Sequence, residues 1–240
     1  MAQDGRIWTH LKSDHFGQVE QGHSNDATAP EALAADGLPA KVVRRDTRSA
    51  PWWCRWLARI LASKEAKTLR RMEQVWPEGA GTRYPRLCSW QGGILIRSWI
   101  EGAPMQEAKP VDPAYHHALL CLVARLHRHG VTHNDLAKEP NFLVCTDGTP
   151  ALVDLQLGRT FRRRGRWFKL LAREDLRHLL KHKRTYLPER LTPRERSILA
   201  RPSWPARVWR QTGKRLYLFI TRGLLGWADR EGAGDRGAAP

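Results

Sequence analysis

Asp135, Asn141 and Asp154 stand in the order that phosphoryl transfer requires. The run Gly130-Val131-Thr132-His133-Asn134-Asp135-Leu136-Ala137-Lys138-Glu139-Pro140-Asn141 is followed, thirteen residues after Asn141, by Asp154. That chemistry needs a carboxylate to orient the attacking hydroxyl and oxygen ligands to hold magnesium on the ATP phosphates. Asp135 suits the first role, Asn141 and Asp154 the second. A lone His-x-Asp is common by chance. The compound pattern is far more specific, because helix, loop, Asn141, hairpin and Asp154 must all fall in order.

The flanking elements can deliver that order. Asp112-Pro113 starts a helix, Ala118, Leu119, Leu122, Val123 and Leu126 supply its apolar face, and Gly130 ends it. Phe142-Leu143-Val144, the turn Asp147-Gly148 and Ala151-Leu152-Val153-Asp154 predict a β-hairpin that brings Asn141 and Asp154 to its open end. Upstream, the pattern predicts strands over 7–12, 41–45 and 94–100, with a helix over 52–72. Residues 13–40 show no sustained period and are expected to be a flexible loop or flap. Downstream, helices are expected over 174–183, from Thr192-Pro193-Arg194-Glu195 by its capping-box pattern, and over 205–213 and 215–228. The Gly/Ala/Asp/Arg stretch 229–240 reads as a frayed tail.

At 240 residues with 41% hydrophobic composition, the chain can bury one sizeable core or two small lobes. The formal charge of +17 suits nucleic acid, anionic lipid or phosphorylated substrates and does not choose among them. No eighteen-residue apolar run occurs, and Asp4, Arg6 and His10 stand where a signal peptide needs an apolar core, so a cytoplasmic location is expected. Cys54, Cys88, Cys121 and Cys145 form no Cys-x-x-Cys pair and read as reduced thiols. His127, His129 and His133 lack a carboxylate or cysteine to complete a metal set, so His133 is read as bracing the loop.

On these residues the chain resembles the protein-kinase-like superfamily, and within it small bacterial members related to RIO kinases and to lipopolysaccharide-core sugar kinases. The resemblance covers 41–183. His133-Asn134-Asp135 stands where kinases have His-Arg-Asp, and Asp154-Leu155-Gln156 replaces Asp-Phe-Gly. It implies an α+β bilobal fold with a small antiparallel β-rich N-lobe (1–101, including flexible 13–40) and a reduced helical C-lobe (102–228). It further implies that Glu65 orients a phosphate-binding cation, for which Arg44 and Lys41 are the candidates. The backbone of Trp99 to Glu101 would meet the adenine of ATP, Mg²⁺ would sit on Asn141 and Asp154, and Lys138 would offset charge on the transferred phosphoryl group.

Three departures accompany the resemblance: arginine at the lysine position, Asn141 six positions after Asp135 where kinases usually have five, and only Phe16-Gly17-Gln18-Val19 in place of a glycine-rich loop. No Ala-Pro-Glu follows the basic run. The expected activity is a kinase acting on a protein Ser/Thr or a lipid-linked sugar. The alternative is a pseudokinase bound to an anionic membrane or partner. The run Arg162-Arg163-Arg164-Gly165-Arg166 reads as a solvated loop or as a clamp for a phosphorylated acceptor. Trp204, Trp209 and Trp227 among basic residues fit either core packing or peripheral contact with anionic lipid. Nucleic acid ranks last among partners, since no RNA-recognition signature accompanies the charge.

Overall fold

The computed structural model describes residues 6–24, 34 and 37–200. The helices expected over 205–213 and 215–228, the tail 229–240 and the three C-terminal tryptophans lie outside the described residues.

The N-terminal half is a five-stranded antiparallel sheet ordered β1-β2-β3-β5-β4. Its strands are β1 (Arg6–Asp14), β2 (Gly17–Ser24), β3 (Lys41–Asp46), β4 (Leu87–Gln91) and β5 (Ile94–Ser98). Residues 13–24, expected within a flexible flap, instead complete the β1–β2 hairpin. The sequence hid β2 because GQVEQGHS lacks apolar alternation; its pairing with β3 supplies the order. The hairpin turn needs Gly17: its φ is +120°, and a Cβ there would lie 2.2 Å from the Asp46 carbonyl oxygen.

Helix α1 (Arg55–Val75) packs Ala62 and Ala66 against Leu95 of the sheet. It starts and ends three residues later than the apolar spacing predicts, because Pro51 to Cys54 form a turn ahead of it. Strand β6 (Ala103–Pro104) and the short α2 (Met105–Ala108) lead to α3 (Pro113–Arg128). As expected, α3 begins at Asp112, whose carboxylate accepts from the Ala114 N–H at 2.8 Å.

Then come β7 (Val131–Thr132), the hairpin β8 (Phe142–Val144) and β9 (Pro150–Leu152), and β10 (Arg159–Thr160), which pairs with β7. Helix α4 spans Arg166–Tyr186, eight residues earlier than its expected start at 174, because Phe168 packs edge-on against Phe161 and His127 and extends the buried face. Helix α5 (Pro193–Ala200) carries the capping box: the Glu195 N–H donates to Thr192 Oγ1, and the Thr192 N–H donates to Glu195 Oε2.

The main core joins both halves. Leu69 and Met72 of α1, Leu119 and Leu126 of α3, Phe142, Leu152, Leu155 and Leu179 of α4 are all essentially inaccessible. Each contributes roughly 1.5–3 kcal/mol by leaving water. The fold is thus the expected α+β, bilobal and kinase-like arrangement, with the β8–β9 hairpin between the lobes. Among the described residues, no helix is long and apolar enough to cross a membrane.

Candidate active site

The loop from His133 to Asn141 is held from below by one stripe of α4. Asp175, buried at 1% exposure, accepts from the backbone N–H groups of His133 and Asn134, each at 2.8 Å, and lies 3.1 Å from His127 Nε2. Seven residues on, His182 Nε2 lies 2.9 Å from the Leu136 carbonyl oxygen. Four further on, the Tyr186 hydroxyl donates to Glu139 at 2.6 Å. Helical spacing aligns all three. His133 itself is buried, with Nε2 3.0 Å from the Val153 carbonyl oxygen, so it ties the loop to the strand leading into Asp154.

Two residues of the site occupy the left-handed region. Asn134 has φ +66° and Asp154 φ +61°. Asn and Asp tolerate that conformation better than other side chains bearing a Cβ. It is a physical reason for asparagine where the resemblance expects arginine, and Asn134 Nδ2 also donates to the Leu157 carbonyl at 2.8 Å.

The extra residue between Asp135 and Asn141 is absorbed by a short 3-10 turn over Glu139–Asn141. Asn141 Nδ2 consequently still reaches Asp135, donating to its carbonyl at 2.8 Å and to its carboxylate at 3.2 Å. Lys138 Nζ remains 3.4 Å from Asp135 Oδ2. Across the hairpin, the Val153 N–H donates to the Asn141 carbonyl at 3.0 Å, which sets Asp154 beside Asn141 at the open end. Burial pushes the Asp135 carboxyl above its ordinary range; Asp154 adds to this, while Lys138, His133 and the Asn141 hydrogen bond oppose it.

The residues present fit a magnesium ion. Asp154 Oδ1 is buried without a hydrogen-bond partner, and the oxygens of Asp154 and Asn141 are hard ligands of the kind that ion takes.

The expected cations sort differently. Arg44 points to the outer face of the sheet, where it donates to Glu20 at 2.6 Å and lies 3.9 Å over the Trp8 ring. Lys41 pairs with Glu101 at the strand's other end, so these two expected nucleotide contacts engage each other. The cation beside Asp154 is Arg45, which no local pattern in the sequence singles out. It is buried, donates to Gln156 and lies 3.8 Å from Asp154 Oδ1. Glu65 is fully buried and paired with Arg97, with Nε 3.1 Å from Oε1. The Glu65 and Asp154 charges hold the Arg45 guanidinium's pKa up against the opposing effect of its burial.

Strand alternation was the available signal. In β3, Arg45 shares a face with Val43 and is paired with Leu95, which packs on α1, whereas Arg44 cannot share that face. At the linker between the lobes, the Trp99 N–H donates to the Lys41 carbonyl at 3.1 Å. Trp99 and Glu101 line a cavity of about 620 Å³ together with Arg83, Arg86 and Cys145; none of Asp135, Asn141 and Asp154 borders it.

Comparison with known proteins places this geometry. No curated protein sequence matches the chain. The Rio2 kinase from Chaetomium thermophilum shares the fold, with a TM-score of 0.53 and 14% identity over 78% of this chain. The match spans 60% of that protein's length. Residues 41–194, which hold β3, Glu65, the loop from His133 to Asn141, Asp154 and α4, match the family described as RIO domain, and the chain belongs to that family.

Proposed function

We propose that this protein is an ATP-dependent phosphotransferase that moves the γ-phosphate to a hydroxyl of a protein Ser/Thr or of a lipopolysaccharide-type sugar. The observation that carries this reading is the convergence of the Asp135 carboxylate, the Asn141 amide and the orphaned Asp154 Oδ1 at one end of the β8–β9 hairpin, with Lys138 3.4 Å from Asp135. Asp135 accepts the hydrogen bond of the acceptor hydroxyl and orients it. Lys138 lies where charge develops on the transferred group. Asn141 and Asp154 hold magnesium, which when bound neutralises the phosphate oxygens. Arg45, and neither Arg44 nor Lys41, supplies the fixed cation on the N-lobe side. The backbone of 99–101 faces the adenine. A cytoplasmic location belongs to the same reading.

The test is transfer of γ-labelled phosphate from ATP into a bacterial extract separated into protein and glycolipid fractions. Label that vanishes with Asp135→Ala establishes the activity and selects the acceptor class. A second reading, a pseudokinase docked on an anionic membrane or partner, is favoured by one observation: Arg45 already engages Gln156 and Asp154. Failure of the folded protein to bind Mg·ATP would select it.

A further inference from the structure

The outer face of α1 carries exposed tryptophan and cations and no exposed acid. Trp52 is 83% exposed and Trp56 62%, and Trp53 and Ile60 flank them. Arg55, Arg59, Lys64, Lys67, Arg70 and Arg71 are all exposed on the same helix, whereas its one glutamate before Glu73, Glu65, is buried on the opposite side. At 100° per residue, the exposed positions of α1 from Arg55 to Arg71 fall within one half of the helix circumference. The buried positions Ala58, Ala62, Glu65, Leu69 and Met72 occupy the other side.

We propose that this face is a docking surface for an anionic phospholipid bilayer. Tryptophan has an apolar body and a polar N–H, the combination that favours the headgroup boundary. Lys and Arg beside it are attracted to anionic headgroups. The surface is convex, with its aromatic residues clustered at one end. That shape suits insertion of a wedge into lipid and not the groove that single-stranded nucleic acid tracks.

The patch also adjoins the β1–β2 turn. Phe16 of the β1–β2 turn packs on Ala50, Cys54 and Ala58, the His15 ring lies 5.6 Å from Trp53, and the Cys54 thiol donates to the His15 carbonyl at 2.6 Å. A chain seated by this face holds its β1–β2 hairpin at the lipid surface. The proposal does not depend on catalysis.

The experiment is co-sedimentation of the full chain with vesicles of phosphatidylcholine alone or mixed with phosphatidylglycerol. Circular dichroism and thermal melts show that each variant is folded. Binding is expected only to the phosphatidylglycerol vesicles and is weakened by salt. Arg55→Gln with Arg59→Gln is expected to lower partitioning by roughly 25-fold, since each cation near the surface is worth about fivefold. Trp52→Ser with Trp56→Ser is expected to lower it comparably. Unchanged binding by both pairs of variants would place the contact on another surface and overturn the proposal. So would binding of an oligonucleotide or a protein without binding of vesicles.

Discussion

Arg97 of β5 stands 3.1 Å from Glu65 of α1, with Glu65 fully buried and Arg97 nearly so. The contact is an ion pair without the alignment of a hydrogen bond, so both Glu65 oxygens lack a hydrogen-bond donor. With Arg97 holding Glu65, Arg45 extends to Gln156 and Asp154. Removing one partner of a buried pair leaves the other uncompensated, which typically costs 3–5 kcal/mol. Arg97→Met is therefore expected to cost about 2–4 kcal/mol, less than the full range because Arg45 remains near Glu65. The combined Glu65→Gln, Arg97→Met variant should lose less than the two single losses added. Urea unfolding of the four proteins in the cycle measures this; simple additivity would show that the pair is not coupled.

Arg45 and Arg44 are adjacent but face opposite sides of the sheet, and nucleotide titrations should separate them. Calorimetry with Mg·ATP is expected to show affinity falling roughly 10-fold or more in Arg45→Ala, consistent with loss of a charge-assisted contact. Arg44→Ala should change affinity by less than twofold, since Arg44 is spent on Glu20 and Trp8. The reverse ranking would reassign the phosphate-side cation.

Asp175 reaches the loop from His133 to Asn141 across about 42 residues of chain to accept two backbone N–H groups. Hydrogen bonds to a charged acceptor contribute about 1.5–3 kcal/mol each, and Asp175→Ala strands both donors in a buried site. A loss of about 3–5 kcal/mol in chemical denaturation is expected. Asp175→Asn, which keeps one acceptor oxygen, should lose less. Equal losses would mean that the carboxylate charge, and not the accepted bonds, supports the loop.

Acid should weaken the fold before it reaches the ordinary carboxylate range. Burial, reinforced by Lys181 and Arg177, pushes the His178 imidazole down to about 4. Between pH 6.5 and about 4 the unfolded chain binds a proton there that the folded chain does not, so stability falls as pH falls through that window. The expected loss is on the order of 2 kcal/mol and should be mostly absent in His178→Gln, as thermal melts across that window would show. Asp135 has the opposite sense. On the proposed function, its raised pKa is expected to place the acidic limb of the rate–pH profile above the usual aspartate range, because the ionised carboxylate is the form that accepts the hydroxyl's hydrogen bond.

Features set by neighbours in the chain were legible in the sequence. The hairpin around Asp147-Gly148, the Asp112 cap of α3 and the Thr192–Glu195 capping box each depend on residues a few positions apart, and each formed as its local chemistry dictates. The order Asp135, Asn141, Asp154 was legible for the same reason, since a hairpin of fixed length joins the last two. Long-range pairing decided the rest. A strand presents alternate residues to opposite faces, so a one-residue choice separates Arg45 at the site from Arg44 outside it, and only the partner strands and α1 settle that choice. The polar alternation of β2 acquires meaning only beside β3. Glu65 finds Arg97 and the His133–Asn141 loop finds Asp175 through the packing of α1 and α4, which no local pattern encodes.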